Sequence, residues 1–202
     1  SAYAAHLARR AAEYGVSISG EVKMDMRRVK ARKDQISARS NTGVEAWLKG
    51  AANVGIFRGH ARFEFTRVLR VGEQLLEAGR IFINAGGRAL VPPIPGLDQV
   101  DYLTNATMMD VDFLPEHLLI IGGSYIGLEF GQMYRRFGSR VTILEQGPRL
   151  IAREDADISQ SILDILRNEG VTVELDAGSM SVEKRGERIA VKLAGGREAV
   201  GS

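Results

Sequence analysis

Apolar and polar positions change their period several times along the chain. Residues 1–14 form an alanine-rich helical pattern that Gly15 stops, and Val16 to Ser19 is a short extended piece. Asp25 is placed to cap a long helix running toward Lys49, with Met26, Val29, Ile36, Val44, Trp47 and Leu48 at partly helical spacing. From Val54 to Ile83 the pattern becomes one of short strands: Ile56-Phe57, Phe63 with Phe65, Val68–Val71, Gln74–Leu76 and Ile81–Ile83, with turns near Gly59, Gly72 and Gly79. This predicts a β-meander. Pro92-Pro93-Ile94-Pro95-Gly96 can be neither helix nor interior strand and reads as a linker. Thr104 to Met109 predicts a short helical turn.

The period is clearest after Pro115. Leu118-Leu119-Ile120-Ile121 is an apolar run of strand length that meets a glycine turn. A helical pattern then runs to Arg136, with Gly138 placed to end it. Val141-Thr142-Ile143-Leu144 is a second apolar run and ends on an acid, Glu145. A further helix fits Asp155 to Asn168, with Ile158, Ile162, Ile165 and Leu166 assigned to its buried face. Strands follow at Val171–Leu175, Val182–Lys184 and Ile189–Leu193, and a turn at Gly195-Gly196 leads to Arg197–Val200. The whole is α/β.

The turn carries the chemistry. In a dinucleotide-binding βαβ unit, glycines permit a tight turn and the close approach of a diphosphate. The following helix directs its N-terminal amides at that anion, and an acid ending the next strand reaches a ribose hydroxyl. Gly122, Ser124 and Gly127 occupy the fingerprint positions, with serine in the slot where backbone approaches diphosphate; Gly123 adds freedom beside it. A plain strand–turn–helix is the alternative. The strand before the turn, the helix of Tyr125, Ile126 and Glu129 after it, and Glu145 beyond favour the nucleotide. A carboxylate at Glu145 would accept from both ribose hydroxyls and repel a 2′-phosphate, which favours NAD(H) over NADP(H); Arg149 is the nearby cation that could complicate that preference. Tyr125 and Glu129 lie one helical turn apart on one face.

Composition narrows the rest. The chain has 202 residues, 45% of them hydrophobic, and no cysteine, which excludes disulfides and thiolate metal sites within it. His6, His60 and His117 are too scattered in sequence to suggest a metal cluster. The formal charge of +2 does not call for nucleic acid. The basic run Arg27, Arg28, Lys30, Arg32 and Lys33 lacks interleaved aromatics and reads as a solvated helix face. No apolar run approaches the ~20 residues of a membrane helix, and no signal peptide opens the chain, so a cytoplasmic protein is expected.

The order of these segments, through NAGGRALVPPIPGL (84–97) to YLTNATMMDVDFLPEHLLIIGGSYIGLEFG (102–131) and RVTILEQGPRLIAREDADIS (140–159), resembles the pyridine nucleotide–disulfide oxidoreductases. These flavoproteins include dihydrolipoamide dehydrogenase, glutathione reductase and mercuric reductase, and the wording looks most like bacterial mercuric-reductase-like members. The resemblance implies part of an FAD domain, helices plus meander, over 1–113. An incomplete Rossmann-like NAD(P)-binding domain would occupy 114–202, and the family plan would be truncated at both ends. It also implies an enzyme that passes hydride from NAD(P)H to FAD and on to a disulfide or other small-molecule acceptor, as a homodimer when complete. The family's CxxxxC disulfide and first FAD fingerprint would lie upstream and its catalytic histidine downstream, so this chain alone is expected to be inactive.

Carried over position by position, Gly59, His60 and Ala61 resemble the backbone contact to FAD adenine, with His60 acting through its main chain. Asn84, Ala85, Gly86 and Gly87 resemble the Ala-Thr-Gly-Gly crossing near the flavin; Ala85 lacks the hydroxyl found there in relatives. Tyr125 matches an aromatic that covers the nicotinamide pocket, and Glu129 an acid that pairs with a lysine near the flavin. No catalytic nucleophile or acid–base group is identified in the chain. Two alternatives stand beside this reading: a flavoprotein of the same fold without a redox disulfide, such as a transhydrogenase or NADH oxidase, and a non-catalytic nucleotide-binding module.

Overall fold

A computed structural model describes residues 1–202. They divide into two compact units, one formed by 1–30 with 89–202 and the other by 31–88.

The first unit begins with α1 (Ala2–Arg9), a 3₁₀ turn over Ala11–Tyr14, and Gly15 in the left-handed region. The second helix, α2 (Met26–Gly50), starts where the Asp25 carboxylate accepts the Arg28 N–H at 3.0 Å, and the division between the units falls within it. The second unit holds an antiparallel meander of β1 (Ala61–Phe65), β2 (Val68–Val71) and β3 (Gln74–Glu77). Ile56-Phe57 and Ile81–Ile83 form no strands. The correction has a physical reason: β-branched and aromatic residues make a strand only where a neighbour supplies the ladder, and neither segment pairs with the meander β1-β2-β3.

The rest of the first unit is built on β4 (His117–Ile121), α3 (Tyr125–Phe137), β5 (Arg140–Leu144), α4 (Ala156–Asn168) and β6 (Thr172–Glu174). The three strands pair in parallel in the order β4-β5-β6. Parallel pairing requires crossover connections, which α3 and α4 supply. An apolar run such as Val141–Leu144 suits a central strand covered on both faces, and Ile143 and Leu144 are fully buried. Thr142 is buried among them, and its hydroxyl lies 2.9 Å from His117 Nε2 on the adjacent strand. A second sheet of β7 (Ser181–Arg185), β8 (Arg188–Lys192) and β9 (Glu198–Gly201) is antiparallel.

Two further departures from the sequence reading concern packing. On α4 the buried residues are Ser159, Leu163 and Leu166, while Ile158 and Ile165 are about half exposed. The isoleucine spacing drew the apolar face one step around the helix; the smaller Ser159 takes the inner position. The proline stretch is no free linker: the Pro95 carbonyl accepts the Val182 N–H at 2.8 Å, and Ile94 and Leu97 pack with Val182, Val191 and Leu193. A Cβ on Gly96 would fall 2.0 Å from the Val182 carbonyl oxygen, so only glycine lets this strap lie on β7.

Side chains also tie the helices together. Glu169, just past α4, accepts from Arg136 at 2.7 and 2.6 Å and from Gln132 at 2.9 Å. Arg135 Nε donates to the Glu169 carbonyl at 2.9 Å. The Arg136 guanidinium holds the Glu169 carboxyl below its ordinary range. A carboxyl shifted down stabilises the fold above its unfolded pKa, and that contribution disappears as pH falls through the folded value. Glu169→Gln is therefore expected to cost about 1–3 kcal/mol near neutral pH. Denaturant melts should show the gap between wild type and variant closing as pH falls below the ordinary carboxyl value of 4.5.

Candidate dinucleotide-binding site

The site is assembled where β4 and β5 end. Gly122 continues the ladder by donating to the Leu144 carbonyl at 2.9 Å, then turns the chain at a φ of 109° that side chains rarely adopt. Ser124 is the N-cap of α3 in an extended conformation, and its side chain caps no amide. The N–H groups that open α3 lack intrahelical partners by geometry and carry the positive end of the helix dipole. These are the elements of an anion site.

Close approach fixes the other glycines. A Cβ on Gly127 would sit 2.2 Å from the Gly122 carbonyl oxygen, and one on Gly123 would sit 2.5 Å from Leu150 Cδ2 and 3.0 Å from Glu145 Oε2. Gly131, one turn beyond Gly127, faces Ile143 Cδ1 at 2.9 Å from its hypothetical Cβ. The two helix glycines seat α3 directly on β4 and β5. The sequence singled out Gly127 and missed Gly131, although spacing on one helix face would have found it.

Glu145 lies beside the turn. Its Oε2 accepts the Gly123 N–H at 2.6 Å and its Oε1 accepts the Gly147 N–H at 2.7 Å. One carboxylate thus fastens the glycine turn to the loop that follows β5. Each oxygen keeps a further lone pair, so the group can still accept from a ribose. The same loop is tied again by Ile151, whose N–H donates to the Gly123 carbonyl at 2.8 Å; Ile151 is buried with a φ of 39°. Arg149 donates to the Ala152 carbonyl at 2.7 Å and stiffens the loop from within.

Tyr125, the first residue of α3, is half exposed and donates its hydroxyl to the Glu154 carboxylate. That bond, with burial adding to it, holds the phenol above its ordinary range. Glu154 had no signal in the sequence beyond its place before a helix cap. Ile126 and Glu129 follow on α3, both exposed. The structure therefore brings Gly122, Gly123, Ser124, Tyr125, Gly127 and Glu145 together around one turn.

The residues matched to the flavin lie in the second unit. Gly59 has a φ of 152°, and a Cβ there would lie 2.9 Å from Cγ1 of Val71, the residue that pairs with Ala61 in the meander. His60 is exposed, as are Ala85, Gly86 and Gly87, which lie outside helix and strand with Gly86 in the left-handed region.

Comparison with known proteins agrees with this architecture. The family model described as pyridine nucleotide-disulphide oxidoreductase matches residues 5–201. A mercuric reductase of Streptomyces lividans is 42% identical over 158 residues, which is 75% of this chain and 33% of the relative. A dihydrolipoyl dehydrogenase of Chlorobaculum parvum is 32% identical over 201 residues, 95% of this chain and 42% of the relative. Among solved structures, the Cu(II) complex of the HOCl-induced flavoprotein disulfide reductase RclA from Escherichia coli superposes with a TM-score of 0.78 at 32% identity. That match covers 88% of this chain and 41% of the other. The chain thus spans about a third of the length of the first of these relatives. No helix is long and apolar enough to cross a membrane. With a family model matched over nearly its whole length, the chain belongs to the pyridine nucleotide-disulphide oxidoreductases.

Proposed function

We propose that this chain is the central part of an FAD-containing oxidoreductase that takes hydride from NADH, in preference to NADPH, and delivers electrons to a disulfide or another small-molecule acceptor. In this reading 1–113 belong to the FAD domain and 114–202 to the NAD(P) domain of a cytoplasmic homodimer. The observation that carries it is the glycine turn: backbone meets backbone too closely for any side chain at Gly127, the Leu150 and Glu145 side chains crowd Gly123, and the amides opening α3 have no side-chain cap.

The residues present fit a dinucleotide. The amides of the α3 N-terminus would hold the diphosphate, and Ser124 would add a hydroxyl donor. The spare lone pairs of Glu145 would accept from the adenosine ribose, and its charge would disfavour a 2′-phosphate. Tyr125 would cover the nicotinamide end, and Glu129, on the same helix face, would position the flavin side through a lysine. Gly59, His60 and Ala61 would hold FAD adenine by main chain, and Ala85, Gly86 and Gly87 would pass beside the flavin. When bound, the nicotinamide and flavin rings supply the redox chemistry; the protein orients them and sets their electrostatics.

The test is anaerobic reduction of the purified flavoprotein. NADH should bleach the flavin, with kcat/KM exceeding that for NADPH by about tenfold, the scale of one charge-assisted contact. Flavin that stays oxidised with both nucleotides would overturn the assignment, and a preference for NADPH would overturn the role given to Glu145.

A further inference from the structure

The ends of three helices meet on one side of the first unit. α1 stops at Arg9, α3 at Phe137 and α4 at Asn168. Helix C-termini leave carbonyls unpaired and carry the negative end of the dipole. Two arginines answer that need. Arg9 donates to the carbonyls of Arg136 and Phe137, and Arg135 Nε donates to that of Glu169 at 2.9 Å. Two more arginines hold acids instead. Arg10 Nε donates to the Glu13 oxygens at 3.0 and 2.9 Å, and Arg136 engages both oxygens of Glu169.

These side chains, with Asn168 and the half-exposed Ile165, line a recess of about 490 Å³. That volume suits a small molecule. Four guanidinium groups face two carboxylates there, a formal excess of two positive charges before His6 is counted. The helix ends and the two acids do not use up the donors. Arg135 Nη2 and Arg136 Nη1 donate to no group of the chain. Both arginines are partly buried, where charge is less screened than at the open surface.

We propose that this recess binds the phosphate group of a small phosphorylated metabolite. A phosphomonoester carries close to two negative charges near neutral pH, which matches the excess in the walls. Its oxygens point in several directions. The arginines also arrive from several directions, Arg10 from the end of α1 and Arg135 and Arg136 from α3, whereas a carboxylate offers only two oxygens in one plane. Ile165 supplies an apolar contact and Asn168 an amide for the organic part. The recess lies at the opposite end of α3 from the glycine turn, about 20 Å away for a helix of 13 residues. The proposal therefore holds whatever the turn binds.

The experiment is calorimetric titration of inorganic phosphate into the full chain at constant ionic strength, with Arg10→Gln, Glu13→Gln and Glu169→Gln beside wild type. Wild type should show saturable binding in the millimolar range or tighter. Arg10→Gln should weaken it about three- to tenfold, the range of one charge-assisted contact. Glu13→Gln and Glu169→Gln each remove a competing acid and should tighten binding by a similar factor. In Glu169→Gln affinity should rise while stability falls, a pairing that simple loosening of the fold does not produce. Glu13→Gln, at an exposed acid, repeats the test without disturbing Arg136. Glycerol phosphate should bind at least as tightly as phosphate, and malonate, a dianion of carboxylates, more weakly. Absence of saturable binding would overturn the proposal. So would an affinity indifferent to the three substitutions, which would put the phosphate elsewhere, or weaker binding in both acid variants. Malonate equal to phosphate would overturn the ligand class, and glycerol phosphate weaker than phosphate would overturn the metabolite.

Discussion

Gly127→Val abolishes pyridine-nucleotide binding while flavin remains bound: this is the largest effect expected of any single change in the chain. The added Cβ alone would lie 2.2 Å from a backbone carbonyl, that of Gly122, and no rotamer can relieve contact with a backbone atom. The start of α3 must move off β4, and its amides move with it. Overpacking of this kind costs about 1–3 kcal/mol of stability. The loss of binding should be larger, because the diphosphate depends on amides held in one place. Gly131→Ala is the internal comparison. Its Cβ would meet Ile143 Cδ1, the end of a flexible side chain, at 2.9 Å. That variant should lose some stability and keep NADH affinity, whereas Gly127→Ala should lose affinity. NADH titration, denaturant melts and flavin absorbance of the three proteins check the ranking. Full NADH affinity in Gly127→Val would displace the site from this turn.

Glu145→Ala is expected to weaken NADH about tenfold or more, for two separable reasons. It leaves the Gly123 and Gly147 amides without their carboxylate acceptor, so the turn and the loop after β5 come apart. It also removes the charge that discriminates against a 2′-phosphate. The first effect strikes NADH and NADPH alike; the second spares NADPH. Measured affinities for both nucleotides separate them. A larger loss for NADH supports contact with the ribose, whereas equal losses confine Glu145 to shaping the turn.

What could be read along the chain was what local spacing encodes. The strand–turn–helix of β4 and α3, the long α2 and the hairpin of β7 and β8 each follow from a period and a stop signal within a few residues. Contacts between distant segments left less trace. Nothing at Glu145 announces that both of its oxygens are engaged by backbone amides, since glycine N–H groups have no signature of their own. Glu154 carries no signal of its own before the helix, because its partner, Tyr125, is supplied by the start of α3. Spacing alone points Ile158 and Ile165 inward. Which face of α4 is buried depends on how closely the helix sits on the sheet, and there a serine takes the inner place. Ile81–Ile83 has strand propensity but is paired to no strand, and propensity without a ladder does not make a sheet.

The closing of α3 at its far end limits how the protein can be dissected. Arg9, in the first helix of the chain, donates to the carbonyls of Arg136 and Phe137, the latter at 2.9 Å. Ala2, Met24 and Met26 pack into the core that Tyr134 and Phe137 share. A minimal nucleotide-binding module cut at residue 114 would have an open helix end and a stripped apolar face, although its glycine turn would be complete. Engineering such a module would mean keeping residues 89–113 on it and grafting the first thirty residues back, with a linker in place of 31–88, or redesigning the exposed face of α3. The sequence-contiguous half and the physically self-sufficient half of this protein are different objects.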